Sequence, residues 1–339
     1  MTLVRTILRI LRLTLGWLLL AVSAAWVFGA LWYDFPFAAL RHPLAMFFLC
    51  GALAALVFVR PRWRAKLGIG IAVAFILAWW FTLKPSNDRP WQPDVAQTAW
   101  AEINGDAVTL HNVRNCDYRT ETDYTPRWET RTVRLSQLTS IDLAINYWGS
   151  PWMAHPIASF QFADAPPVCF SIETRKEVGE SYSAIGGLYR QYELIYIVAD
   201  ERDVIRVRTN FRQGEDVYLY RTLAPPARAR EHFPEYLSAL NPLHTRPRWY
   251  NAITTNCTTA IRAQRPTNER MPWDWRILLN GKGDEMMYER HLLATGSLPF
   301  AELKQRSHIN ARARAAGSDP SFSTLVRKDL PARSEPPPH

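Results

Sequence analysis

The stretch Trp249-Tyr-Asn-Ala-Ile-Thr-Thr-Asn256-Cys257-Thr-Thr-Ala-Ile-Arg262 carries the residue types most able to do chemistry. Thr254, Thr255 or Asn256 can each cap a helix, which places Cys257 in that helix's first turn. A helix N-terminus carries partial positive charge and unpaired N–H groups, so a cysteine there is biased toward thiolate, and the same donors can hold an oxyanion. A small buried residue packing at a helix start is the plainer reading of a single cysteine. The threonine pairs on both sides of Asn256-Cys257 form a hydrophilic collar unlike a core position.

A nucleophilic cysteine needs a base and usually a group to orient that base. Of the eight histidines, His155 is the best placed, because Trp148-Gly-Ser-Pro-Trp-Met-Ala-His155-Pro puts it at a turn opening a strand. A turn histidine bonded to backbone is the competing reading. Past Ala163-Asp-Ala-Pro-Pro167 the chain returns through Val168-Cys-Phe-Ser-Ile-Glu173-Thr-Arg175, a plausible hairpin. If paired residue numbers sum to 328, Glu173 lies opposite His155; if they sum to 329, Thr174 takes its place. The first register is preferred, since a carboxylate could then hold the imidazole tautomer, although Glu173 could equally be a surface partner of Arg175. An enzyme of this kind should bring the Cys257 sulfur within about 4 Å of a His155 ring nitrogen.

Other site chemistries find less support. Zinc held by His155, Cys169 and Cys257 would lack any close ligand pair, and Gly281-Lys-Gly283 lacks the phosphate-loop spacing, so neither metal nor other cofactor is expected. The net charge of +9 resolves into +8 over residues 1–90 and +1 over the rest, which removes the main argument for nucleic acid as a partner. Of the four cysteines, Cys50 falls in an apolar span; Cys116 with Cys169 is the candidate pair for a disulfide, leaving at least one thiol free.

The elements that must carry these groups begin with three apolar spans. Arg12 and Asp34 bracket 21 uncharged residues, His42 and Arg60 bracket 17, and Lys66 and Lys84 bracket 17 more. These lengths suit transmembrane helices, the last two as a hairpin. Its turn, Arg60 to Lys66, holds four positive charges and no negative one, which assigns it to the cytoplasm and everything after Lys84 to the far side. A cleaved secretory signal is the alternative for the first span and leaves the destination unchanged. With no ionisable residue inside the spans, a channel or transporter is not indicated.

Residues 1–84 are thus expected as a three-helix membrane anchor, 85–98 as a linker, 99–300 as the exported domain and 301–339 as a partly disordered polar tail. Within the domain, strands are expected over 106–113, 128–135, 141–148, 156–162, 168–173, 193–198 and 204–208, with 200–203 as a hairpin turn. Helices are expected over 227–240, 255–264 and 285–294. The class is α+β, an antiparallel sheet with a few packed helices behind three transmembrane helices.

Several motifs resemble the Lnb N-terminal periplasmic domain family, a group of bacterial envelope domains of unknown function. They are Tyr147-Trp-Gly-Ser-Pro151, His155 before a strand, Phe170-Ser-Ile-Glu173-Thr-Arg-Lys176, Arg208-Thr-Asn-Phe-Arg212, and Tyr250-Asn-x-x-Thr-Thr-Asn256-Cys257-Thr-Thr. The resemblance covers roughly residues 110–270 and implies a Gram-negative inner membrane with the domain in the periplasm; it supplies no activity. More distantly, the order His, two strands, a polar third residue, then Asn-Cys at a helix start is similar to permuted papain-like proteins such as lecithin retinol acyltransferase and permuted NlpC-type amidases. That resemblance implies a permuted papain-like sheet with Cys257 as nucleophile, His155 as base and Glu173 as orienter. It also implies the Cys257 N–H, with Asn256 or Tyr250, at the oxyanion. The acyltransferase motif continues Asn-Cys-Glu-His, and this chain departs from it at Thr258 and Thr259.

Two functions of different class follow as expectations. One is a tethered thiol hydrolase or acyltransferase working through acyl-Cys257 on an amide, ester or thioester of a peptidoglycan peptide, lipoprotein or lipid. The other is a non-catalytic periplasmic interaction or envelope-maintenance module.

Overall fold

The computed structural model describes residues 2–270 and 272–333. Three N-terminal helices come first, α1 (Thr2–Asp34), α2 (Ala38–Phe58) and α3 (Arg62–Thr82). Each is long and apolar enough to cross a bilayer. They bury a small cluster around Val27, Leu31 and Ala45, and Ala30, Ala65 and Ile69 are buried as well. Phe47 and Phe75, by contrast, are 78% and 74% exposed, a surface that calls for hydrocarbon as its solvent. Together with Tyr182–Glu193 and Trp249–Ala252 these helices make one of two compact units.

The second unit is α+β. Its strands are β1 (Trp100–Asn104), β2 (Ala107–Arg114), β3 (Asp117–Tyr118), β4 (Tyr124–Thr125), β5 (Trp128–Arg134), β6 (Leu138–Trp148), β7 (Ala154–Phe162), β8 (Val168–Arg175), β9 (Glu193–Ala199) and β10 (Glu215–Arg221). Eight of them form one sheet in the order β1-β2-β9-β8-β7-β6-β10, with β5 also paired to β2. The expectation of a purely antiparallel sheet needs correcting, because β2 and β9 run parallel at Arg114–Ala199. The long excursion between these two strands gives the chain enough length to return in the same direction.

The central hairpin β7–β8 has the expected register. Its pairs, from Ile157–Ser171 to Phe160–Val168, all sum to 328. Alternation along β7 then puts Pro156, Ala158 and Phe160 on one face and His155, Ile157 and Ser159 on the other. Against the first face lies α5 (Pro226–Thr245), whose Phe233 and Tyr236 meet Phe160 edge-on at 5.0 and 5.4 Å between ring centroids. On the second face Ile157, Ile195 and Leu219 pack with Ile309, Phe322 and Val326 from the C-terminal part of the chain.

Three segments differ from the sequence reading. Residues 200–208 are not a turn and strand but the short helix α4 (Glu201–Val204) followed by a wide helical turn, Val207–Phe211. Asp200 caps α4 by accepting from the Arg202 N–H, and Val204, Ile205, Val207 and Arg208 are all buried, a pattern strand alternation cannot produce. Residues 86–98 do not run free as a linker. The Arg175 guanidinium donates to Val95 O, Ala96 O and Asn87 Oδ1 at 2.7 to 2.8 Å, and Trp91 and Val95 are buried in the second-face core.

The polar tail, too, is ordered over its described part. It contains α8 (Phe300–Ser307), α9 (Asn310–Ala316) and α10 (Phe322–Leu325), following α6 (Cys257–Ala263) and α7 (Gly283–Glu289). Ile309, Ala313 and Ala316, then Phe322, Val326 and Leu330, recur every three or four residues and are buried. Residues 334–339, where the sequence ends Pro-Pro-Pro-His, lie outside the described residues.

The tail is also held by charge. Arg327 donates to Asp142 at 2.7 Å and to both Glu201 oxygens at 2.8 and 2.5 Å; Arg333 pairs with Asp142 as well. Both carboxylates are fully buried, so each depends on its arginine partner. Arg327→Met should therefore destabilise the full chain by about 3 to 5 kcal/mol, read as a lower unfolding midpoint in detergent. A midpoint equal to that of the unmodified protein would mean the network is not structural.

Candidate active site

Cys257 is the first residue of α6, and the cap is local. The Asn256 side chain accepts from the Thr259 N–H at 2.9 Å, while the Thr259 hydroxyl accepts from the Asn256 N–H at 2.8 Å, a reciprocal capping box. Of the three candidate caps in the sequence, Asn256 is the one used. Its Oδ1 is committed to the cap, receiving the Thr258 and Thr259 hydroxyls as well.

The Cys257 sulfur accepts a hydrogen bond from Asn280 Nδ2 at 3.3 Å. The other end of that amide, Oδ1, accepts the Ala154 N–H at 2.8 Å. Asn280 thus links the sulfur to the residue before His155. The turn presenting it is clamped: the Tyr147 hydroxyl donates to Gly281 O and the Gly281 N–H donates to Trp152 O, both at 3.0 Å. A Cβ on Gly281 would lie 2.4 Å from Pro151 O, so only glycine fits there.

His155 heads a second chain of contacts. Its Nε2 lies 2.6 Å from Ser171 Oγ, Ser171 Oγ lies 2.6 Å from Glu173 Oε1, and Arg208 donates to the same carboxylate oxygen at 2.8 Å. An ionised carboxylate can only accept, so the Ser171 proton points to Glu173 and the Ser171 oxygen accepts from His155. The imidazole is thereby fixed with its proton on Nε2, and Nδ1 carries the lone pair that a general base needs. Glu173 acts on the ring through Ser171, since its own distance to Nε2 is 3.9 Å.

Electrostatics keep both the imidazole and the thiol neutral at pH 7. Burial, reinforced by the Arg208 charge and only partly opposed by Glu173, lowers His155 to about 4. Burial raises Cys257 to about 11, opposed by the Thr258 N–H, Asn280 and the Cys257 N–H. For Glu173, burial alone would favour the neutral acid, but Arg208 and then His155 hold it well below the usual carboxylate range.

The predicted residues are therefore joined in two groups. His155 and Glu173 are joined through Ser171; Cys257 and Asn256 are joined at the helix start. Among the described residues neither imidazole nitrogen hydrogen-bonds to the sulfur. The ladder between β7 and β8 has its last pair at Ile157–Ser171, which leaves His155 beyond the paired part of the hairpin. Tyr250 falls in the other compact unit, where its N–H donates to Tyr192 O at 2.9 Å.

Sequence reasoning missed the roles of Ser171, Arg208 and Asn280. The first two lie inside motifs already singled out; Asn280 immediately precedes the Gly281-Lys-Gly283 turn and forms with Gly281 an Asn-Gly turn signal. All four cysteines are free, so Cys116 and Cys169 are not joined. Among the described residues no three His, Cys, Asp or Glu side chains gather as metal ligands.

A cavity of about 640 Å³ adjoins the sulfur's end of the site. Thr258 and Asn280 reach its wall, and Leu143, Pro156, Ile261 and Met287 make it largely apolar. Pro156 alternates with His155, so the cavity lies against the opposite face of β7 from the imidazole.

Residues 124–281 match the Lnb N-terminal periplasmic domain. That span contains His155, Ser171, Glu173, Arg208, Cys257 and Asn280. No curated protein and no solved structure matches the chain, so the papain-like resemblance gains no support.

Alkylation of Cys257 should be slow at neutral pH and accelerate as pH rises toward about 11, because only the thiolate reacts. Asn280→Ala removes a donor that favours the thiolate, a bond worth about 1.5 kcal/mol or more. It should therefore slow alkylation about tenfold at neutral pH, measured by intact mass against time. An unchanged or faster rate would show that the Asn280 contact does not stabilise the sulfur.

Proposed function

We propose that this membrane-anchored protein is a thiol acyltransferase or hydrolase that forms an acyl-Cys257 intermediate, and that the acyl group is a hydrocarbon chain of an envelope ester, amide or thioester. The observation carrying this reading is the apolar cavity of about 640 Å³ walled by Asn280, the residue bonded to the Cys257 sulfur. Its size is that of a small-molecule site, and its lining suits hydrocarbon better than a polar peptidoglycan peptide. Its lining also includes Arg228, Arg262, Arg265, Arg270 and Arg276, of which Arg228, Arg265 and Arg276 are paired with carboxylates that an anionic lipid head would have to displace.

The chemistry follows from the two groups of residues. In this reading substrate binding has to bring His155 Nδ1, which lies on the other face of β7 and makes no hydrogen bond to the sulfur, to Cys257; it then takes the thiol proton as the sulfur attacks the acyl carbon, forming the C–S bond. The oxyanion is held by Asn280 Nδ2 and the Cys257 N–H at the helix tip. Collapse expels the alcohol, amine or thiol, which takes the proton back from the imidazolium and leaves a thioester. A water or an acceptor amine or hydroxyl then attacks that thioester, its proton moving by the same route, and Cys257 is released as thiol. Glu173, through Ser171, stabilises the transient imidazolium. The papain-like likeness enters here by role alone, with Asn280 in place of Asn256 or Tyr250 at the oxyanion.

Three spans, the basic turn Arg60–Lys66 and the periplasmic-domain match support an inner-membrane location with the domain in the periplasm. Tethering confines the enzyme to donors at that membrane.

One observation favours a second reading. The sulfur and the imidazole are not hydrogen-bonded, and both are neutral, as suits a module that holds an acyl chain without cleaving it. Incubating the full chain in detergent with a phospholipid, an acylated peptide and an unacylated stem peptide, followed by intact mass and peptide mapping, separates the two. A single acyl mass on Cys257 from the acyl donors, none from the stem peptide and none in Cys257→Ala is expected. Acyl donor bound with no covalent adduct would leave the binding module in its place.

A further inference from the structure

The segment Tyr182–Tyr189 has no charged residue, and its sequence, Tyr-Ser-Ala-Ile-Gly-Gly-Leu-Tyr, is set between Glu180 and Arg190. It belongs to the same compact unit as the three membrane helices. Two anchors hold it to the ends of α1 and α3. Tyr189 stacks on Tyr33 with centroids 5.5 Å apart, and a Cβ on Gly29 would lie only 1.9 Å from the Tyr189 oxygen, so the ring sits directly over that glycine. The Arg190 N–H donates to Asp34 Oδ1 at 3.0 Å, and its guanidinium donates to Leu83 O at 2.9 Å while lying 3.8 Å over the Trp80 ring. The Trp80 indole completes the cluster by donating to Asp34 at 2.6 Å.

Just before these anchors the chain makes a tight turn, with the Leu188 N–H donating to Ile185 O at 3.0 Å. In such a three-residue turn the side chains at i and i+3 eclipse. Ile185 and Leu188 therefore form one apolar edge, and they are 60% and 42% exposed. In the same compact unit Phe37 and Phe81, at the ends of the spans, are each 65% exposed.

We propose that this loop is a membrane-inserting element: Ile185 and Leu188 dip into the bilayer interface on the side where α1 and α3 end. Lipid is the occupant that the placement favours over a partner protein. The loop is fastened to the mouths of helices whose flanks already need hydrocarbon, and its basic residue, Arg190, has its guanidinium occupied by the Trp80 and Leu83 carbonyls and the Trp80 ring. The inference does not depend on whether Cys257 is reactive, so its failure would leave the acyl-Cys257 reading as it stands.

The test uses the full chain with Cys50→Ala and Cys257→Ala, since Cys116 and Cys169 are buried. A single cysteine replacing Ile185 or Leu188 is labelled with an environment-sensitive fluorophore in nanodiscs of phosphatidylethanolamine and phosphatidylglycerol. Labels at Phe47, on the lipid-facing side of α2, and at exposed Ser318 mark the two extremes. Both loop labels are expected to emit at blue-shifted wavelengths and to lose most of their intensity when the lipids carry brominated acyl chains, as the Phe47 label does. Emission and quenching at the Ser318 level from either loop position would overturn the proposal, and in lipid-only nanodiscs that result would point to a protein as the loop's partner.

Discussion

The Asn280 carboxamide ties together parts of the chain that are remote in sequence, and the candidate site depends on it. It accepts the Ala154 N–H and donates to the Cys257 sulfur. Because Gly281 has no room for a side chain and Tyr147 holds the next carbonyl, that amide has little freedom. A short bonded path therefore runs from β7 to the tip of α6. A sulfur buried without that donor would be harder to ionise still, since burial is what raises it to about 11.

The imidazole depends on a different constraint, a buried charge. Arg208 keeps Glu173 ionised, Glu173 takes the Ser171 proton, and Ser171 in turn fixes the His155 tautomer. The same arginine charge, added to burial, keeps the ring neutral down to about pH 4. A neutral thiol and a neutral base do not form an ion pair at rest. Proton transfer would have to accompany attack on a bound acyl group, which suits a site that is inert in the absence of substrate and adjoins an apolar cavity.

How much of this was readable depended on the range of the interaction. A helix start near Asn256 was legible because capping is decided within four residues, though Thr254 and Thr255 stayed open as caps; the 328 register seen from Ile157–Ser171 to Phe160–Val168 was one of two that the hairpin allowed. Asn280 was not legible, since its partners lie 126 and 23 positions away. The same limit explains the helical 201–211 region: Val204, Ile205 and Val207 look β-forming in isolation, while the Asp203–Arg114 ion pair at 2.8 Å and burial on one side impose a helix. The C-terminal helices did leave a trace, apolar residues at helical spacing among many arginines, but composition masked it.

The central claim is that Cys257 and His155 act on the same acyl group, and the rate of Cys257 acylation in His155→Ala against the unmodified chain, followed across pH, tests it most directly. If Nδ1 is the base, the variant should be slower by about a hundredfold or more at neutral pH, with the gap closing as pH nears 11 and hydroxide supplies the thiolate instead. Equal rates at neutral pH would contradict a shared role for the two residues.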